Sequence, residues 1–149
     1  MERKQEILGQ IKQLCSGQRY AVLSTLGDSG PYASLVAFQA DEDCKHLYFA
    51  TPRSTRKFVH MSGEQRVALL IDNRSNASGD TFSAVGMTAL GVAEEVPSDK
   101  LDEVINNYLG KHPHMKQFVT SENVALMKVR VNMCYVVNRF QEVFELDMQ

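Results

Sequence analysis

The sequence predicts an antiparallel β-barrel decorated by helices, an α+β chain folded as a single domain over residues 1–149. Three observations carry that expectation. Six or seven short segments are rich in β-branched and aromatic residues and follow one another in hairpin order. Most links between them are too short for the crossover helix that a parallel sheet needs. Two segments with a helical apolar period fall outside the strands, one opening the chain and one preceding the final hairpin, and both are expected to pack on the outside of the barrel.

In chain order, residues 2–16 place Ile7, Leu8, Ile11, Leu14 and Cys15 on one helical face, and Ser16-Gly17 supplies a C-cap. Residues 20–26 and 32–38 read as two strands joined by the turn chemistry of Gly27-Asp-Ser-Gly30. After the acidic turn Asp41-Glu-Asp43 a strand runs over 46–50 toward Pro52 and leads into a short helix ending near Met61. The apolar run 66–72 is too short for a helix and is expected as a buried strand, and the polar stretch 73–80 as a loop. A long strand is expected from Thr81 to about Val96, bent or bulged at Gly86 and Gly91. The second helix spans 98–110, with Leu101, Val104, Ile105, Tyr108 and Leu109 on one face and Gly110 as its stop. Alternation returns over 125–137, setting Met127, Val129, Val131 and Met133 against Leu126, Lys128, Arg130 and Asn132. Asn138-Arg-Phe-Gln141 then separates it from a last strand at 143–146.

Bulk properties narrow the function. A chain of 149 residues that is 44% apolar and 23% charged has the size and balance of one globular core. Its net charge of −2 creates no field that would gather nucleic acid or anionic lipid, so neither nucleic acid nor membrane is expected as a partner. No apolar run is long enough to cross a bilayer as a helix. Cys15, Cys44 and Cys134 are odd in number and widely spaced, which indicates neither a disulfide framework nor a zinc site and fits a reducing cytoplasm.

The stretch Leu47-Tyr-Phe-Ala-Thr-Pro-Arg-Ser-Thr-Arg-Lys-Phe58 carries the chemistry. Pro52 ends the strand because it has no N–H to donate, and Ser54 or Thr55 can cap the helix that follows. Arg53, Arg56 and Lys57 then lie in or beside the first turn, where cations oppose the helix dipole. Three cations and three hydroxyls (Thr51, Ser54, Thr55) around free N–H groups make sense if a dianion such as a phosphate monoester docks among them. The competing expectation is a solvated cationic face, with Arg56 paired to Glu64 or Asp72.

Other candidates are weaker. His112-Pro-His114 offers two imidazoles without a third ligand, so the pair is expected as solvated loop histidines and no metal site is expected. His46 and His60 are isolated, although His60 sits on the cationic helix within reach of a bound phosphate. Met61, Met87, Met115, Met127 and Met133 are expected in core or dimer contacts. With no P-loop, dinucleotide fingerprint, nucleophile elbow or carboxylate dyad, any chemistry falls to a cofactor that the protein orients.

Taken together, the segments Ala21-Val-Leu-Ser-Thr, Gly30-Pro-Tyr-Ala-Ser, Tyr48-Phe-Ala-Thr-Pro-Arg-Ser-Thr-Arg-Lys, Arg66-Val-Ala-Leu-Leu-Ile-Asp and Ala89-Leu-Gly-Val-Ala-Glu, in this order, resemble the FMN-binding split-barrel family related to pyridoxamine 5′-phosphate oxidase. The resemblance covers roughly residues 16–146. It implies a six-stranded antiparallel split barrel of the FMN-binding type, a homodimer with FMN between the subunits, and an oxidoreductase acting on a small-molecule substrate or electron donor. A non-catalytic flavin carrier or sensor, and a haem-handling protein of the same fold, are the alternatives. The family's phosphate-binding Arg-Lys pair falls on Arg56 and Lys57, with Thr51, Arg53, Ser54 and Thr55 around it. The strand along the ring edge falls on Ala33, Ser34, Leu35 and Val36, bordered by Ala50 and Thr51, and Met87 is implied as a contribution from the other subunit. The family's flavin-contacting glutamine falls near Gly86, and its later Gln-Ser pair and C-terminal Trp and Arg have no counterparts, so oxidation of vitamin B6 phosphates is not carried over. The tail from Val136 to Phe144 is weakly similar to split-barrel proteins of haem utilisation, whose iron-ligating C-terminal histidine has no equivalent after His114 unless His112 or His114 serves.

Overall fold

The computed structural model describes residues 2–138 and 142–149, and everything below concerns those residues. Thirteen elements follow in order: α1 (Glu2–Gly17), β1 (Tyr20–Gly27), β2 (Gly30–Ala40), β3 (His46–Pro52), α2 (Arg56–Gly63), β4 (Arg66–Asp72), α3 (Asp80–Ser83), β5 (Gly86–Glu95), α4 (Leu101–Lys111), a 3-10 turn (Pro113–Met115), α5 (Lys116–Val119), β6 (Val124–Asn138) and β7 (Glu142–Asp147). The strands run in the order β3-β2-β1-β4-β5-β6-β7, all antiparallel, and a β3–β6 pairing closes the first six into a barrel. β7 continues the sheet beyond the closure, along the C-terminal half of β6.

Alternation does the sorting. Leu23, Phe38, Leu47, Phe49, Leu69, Ile71, Met87, Ala89, Val129 and Val136 point inward and are at most 2% exposed. Ile7, Ile11 and Leu14 of α1 join this same core, each burial contributing about 1.5–3 kcal/mol, which outweighs the modest intrinsic stability of a 16-residue helix. α4 builds a separate small cluster outside the barrel, with Val104 against Val96 and Leu126 and with Tyr48, Ala50, Leu101 and Ile105 around them.

Three sequence expectations are corrected. The long strand does not begin at Thr81, because the Asp80 carboxylate accepts the N–H groups of Ser75, Asn76 and Ala77 and the Ser75 hydroxyl, winding the loop into the single turn of α3. Strand pairing starts only at Gly86, opposite Asp72 and Val137. The first helix runs through Gly17, and the second spans Leu101–Lys111, passing Gly110 to be capped at His112. The expected alternation over 125–137 breaks at Asn132, which the register between β5 and β6 skips at Leu90/Gly91, so Met133 turns outward and Cys134 inward. Gly91 is required there, since any Cβ would overlap the Arg130 carbonyl oxygen. Of the break expected at Asn138–Gln141, residues 139–141 lie outside the described residues.

Candidate functional site

The barrel is split on one side. β2 pairs with β1 along its length from Gly30 to Ala37, but its ladder to β3 covers only Phe38, Gln39 and Ala40. β3 leaves it at Phe49 and runs on to Pro52 against β6. The Phe38 N–H donates to the Arg19 carbonyl at 3.2 Å, so antiparallel alternation turns the polar groups of Val36 and Ser34 toward β1 as well. Those of Ala33, Leu35 and Ala37 face the open side, where the Tyr108 hydroxyl takes the Ala37 carbonyl at 2.9 Å. Ala33 and Leu35 thus present unpaired backbone N–H and C=O groups at the split. Ser34 Oγ, in the same stretch, is shielded from solvent with no hydrogen-bond partner among the described residues.

α2 begins where β3 ends. Thr55 is its N-cap, accepting the Phe58 N–H at 3.3 Å and donating to the Pro52 carbonyl at 2.8 Å. Fully buried Thr51 bonds the Thr55 hydroxyl at 2.7 Å. These two threonines hold the turn, so the expected hydroxyl set is divided: Thr51 and Thr55 frame the cap, and only Ser54 is exposed. Among the described residues the N–H groups of Ser54, Arg56 and Lys57 have no acceptor, and the first turn carries no acid.

The three cations separate in the same way. Arg53 is diverted: its guanidinium makes a two-pronged pair with Glu95 at 2.6 and 2.7 Å and lies over the Phe58 ring. Hydrogen bonding from Arg53 holds the Glu95 carboxyl below the usual range. Arg56 rests on the Tyr32 ring, 5.4 Å from its centroid, and pairs with neither carboxylate suggested for it, because Glu64 holds Arg66 and Asp72 holds Arg74. Arg56 and Lys57 form no ion pair among the described residues, leaving two uncompensated cations and three free N–H groups at one helix start beside the split.

In four further places the structure departs from expectation. Met87 is 2% exposed and faces the barrel core, and Val36 also points inward at 5%. Ala50 packs under α4, and only its strand position borders the split. His112 is not a solvated loop residue: it is fully buried, its Nε2 lies 2.7 Å from the Phe38 carbonyl, and burial lowers its pKa. That nitrogen therefore carries the proton that it donates, which is incompatible with ligating iron in this state. Its neighbour Lys111 donates to the Cys15 carbonyl at 3.0 Å and is pulled down to about 8 by burial. His114 remains exposed. Among the described residues no group of three or more His, Cys, Asp or Glu could hold a metal, and no helix is long and apolar enough to cross a membrane.

Sequence reasoning missed Tyr32, which lies under Arg56, and the outward apolar row Leu35, Val22 and Leu70, joined across β2, β1 and β4. Leu35 is 66% exposed and Leu70 38%. Strand alternation could have found the row, since Leu35 and Val22 lie out of phase with the core positions of their strands.

The sequence model of a family described as pyridoxamine 5′-phosphate oxidase matches residues 7–138. No curated protein matches the chain. Among solved structures it is similar to a haem-binding protein from Mycobacterium smegmatis, at 18% identity and a TM-score of 0.82 over 92% of this chain and 56% of that one. It is also similar to General Stress Protein 26 from Bacillus anthracis, at 21% identity and a TM-score of 0.70 over 95% and 99% of the two chains. A putative pyridoxamine 5′-phosphate oxidase from Listeria innocua matches at 16% identity and a TM-score of 0.69 over 89% and 98%. At these identities the likeness to solved structures shows a shared fold alone.

Proposed function

Because the chain belongs to the pyridoxamine 5′-phosphate oxidase family, we propose that it binds FMN non-covalently in the split between β2 and β3, as a homodimer, and serves as an oxidoreductase for a small substrate. The observation that carries this reading is the pairing of two features at one place: an uncompensated Arg56–Lys57 helix start and an unpaired strand edge beside it. A phosphate monoester matches the first in charge and in acceptor count. The polar edge of an isoalloxazine ring matches the second, where Ala33 and Leu35 offer alternating donors and acceptors and Ser34 a buried hydroxyl without a partner.

When bound, the flavin supplies the hydride or electron chemistry at its N5. The protein's own work is to anchor and to shield. Arg56, Lys57 and Ser54 would hold the phosphate, the Thr51–Thr55–Pro52 hydrogen bonds fix the turn that aims them, and the free edge of β2 would offer hydrogen bonds to the ring. The outward row Leu35, Val22 and Leu70 continues from the same stretch of β2 and suits a second copy of the chain, whose docking would bury these side chains and exclude water from the split.

Purified protein tests the reading directly: a flavin absorbance band, or saturable quenching of FMN fluorescence on titration, supports it, and a colourless protein that leaves FMN fluorescence unchanged overturns it. Tight FMN binding without reduction by any nicotinamide donor would move the protein from enzyme to carrier. The haem-binding relative keeps haem handling as a second reading, in which only His114 of the 112–114 pair is accessible. A Soret band on haemin titration that disappears in His114→Ala would support it.

A further inference from the structure

Gly27 ends β1 against the side chain of His60 on α2, where a Cβ would overlap the imidazole ring. The glycine makes room for that ring. His60 is held on its other side by Thr25, with Nδ1 2.9 Å from the hydroxyl of a residue 3% exposed. From this seat the imidazole meets Tyr32 at right angles, with ring centroids 5.7 Å apart. Tyr32 in turn lies under the Arg56 guanidinium at 5.4 Å. Arg56 and His60 are four residues apart on one helix face, so both reach the same tyrosine.

We propose that Tyr32 and His60 are positioning residues for phosphate recognition: His60, seated over Gly27 and tied to Thr25, fixes the Tyr32 ring, and Tyr32 fixes the Arg56 guanidinium before the ligand arrives. The proposal rests on the FMN reading above and adds the residues that pre-order its arginine. An exposed arginine carries a large rotamer entropy, and resting it on a fixed ring removes part of the ordering cost from the binding step. The Thr51–Thr55 pair fixes the backbone of the site, and the Tyr32–His60 pair fixes an exposed side chain at its edge.

The test compares the affinity for FMN with that for riboflavin, which shares the ring and lacks the phosphate. Fluorescence-quenching titrations are run on the full chain, with melting curves to establish that each variant is folded. Tyr32→Leu and His60→Ala are each expected to weaken FMN about two- to five-fold, the size of one exposed cation–π contact, while leaving riboflavin unchanged. Tyr32→Phe, which keeps the ring, is expected to retain the wild-type ratio. Gly27→Ala is expected to act like His60→Ala by displacing the imidazole. If Arg56→Ala lowers the FMN-to-riboflavin ratio and Tyr32→Leu and His60→Ala do not, the positioning proposal is overturned and the phosphate site stands. If Arg56→Ala leaves the ratio unchanged as well, the phosphate site falls and the proposal with it.

Discussion

Replacing Arg56 and Lys57 together by alanine removes both free cations from the first turn of α2 and leaves its cap intact, because Thr55, Thr51 and Pro52 make that turn without them. Alanine is a good helix former at these positions, so the barrel should survive. A hydrogen bond to a charged group contributes about 1.5–3 kcal/mol. Arg56 is exposed and Lys57 half-buried, which puts each at the lower end through solvent screening. Their joint loss then costs about 3 kcal/mol, roughly 150-fold in the FMN dissociation constant. Riboflavin affinity should not move, and the difference between the two ligands should shrink as salt is raised. Arg53→Ala is the internal control: its guanidinium is committed to Glu95, so FMN affinity should hold and only the exposed pair's contribution to stability, about 1 kcal/mol or less, should be lost. The double variant binding FMN as tightly as the wild type, or Arg53→Ala weakening it as much as Arg56→Ala, would refute the assignment of the two cations.

Further expectations follow from the packing. On the proposed homodimer, Leu35→Glu places a charge in the outward apolar row and should shift the protein to a monomer in light-scattering measurements, with weaker flavin binding; an unchanged dimer would place the subunit contact elsewhere. His112→Ala should lower the melting temperature, since losing the buried imidazole unpairs the Phe38 carbonyl at a cost of about 1–3 kcal/mol. His112 is held below its ordinary value by burial, so the unfolded chain takes up its proton first. Its contribution to stability is whole above about pH 6.5 and falls as the pH drops through the lower folded value; the pH–melting curve of His112→Ala should be flatter there. Gly91→Ala forces a methyl onto the Arg130 carbonyl at the bulge and should destabilise by about 1–3 kcal/mol in urea unfolding, where an unchanged midpoint would mean the bulge relaxes freely.

The barrel was legible because its signals are local. Pro52 had to end a strand, Thr55 could cap a helix, and the alternation around Leu23, Phe38 and Phe49 could place a core without knowledge of any partner strand. Where the reading failed, a distant group had intervened. Nothing near Thr81 announces that Asp80 will gather three backbone N–H groups from the loop behind it. Arg53 and Arg56 look alike in sequence, and only Glu95, brought alongside by β5, tells them apart. His112 looked exposed beside Pro113 because the Phe38 carbonyl that buries it lies far back in the chain. Asn132 shifts the phase of β6 in answer to Gly91 on its neighbour, and no alternation within β6 alone can show that. The split itself, the feature on which the candidate site depends, is a property of where β3 parts from β2 and belongs to neither strand's sequence.

The closing seam between β3 and β6 also has a bearing on how the protein is made. Thr51 pairs with Ala125 and His46 with Arg130, so the first half of the sheet waits on the ribosome with an open edge until residues 124–130 have emerged. During that interval β3 presents unpaired backbone to any neighbour, the condition that favours edge-to-edge aggregation. Shortening the chain before Val124 would make that interval permanent, and such truncations should accumulate in inclusion bodies when the intact chain does not.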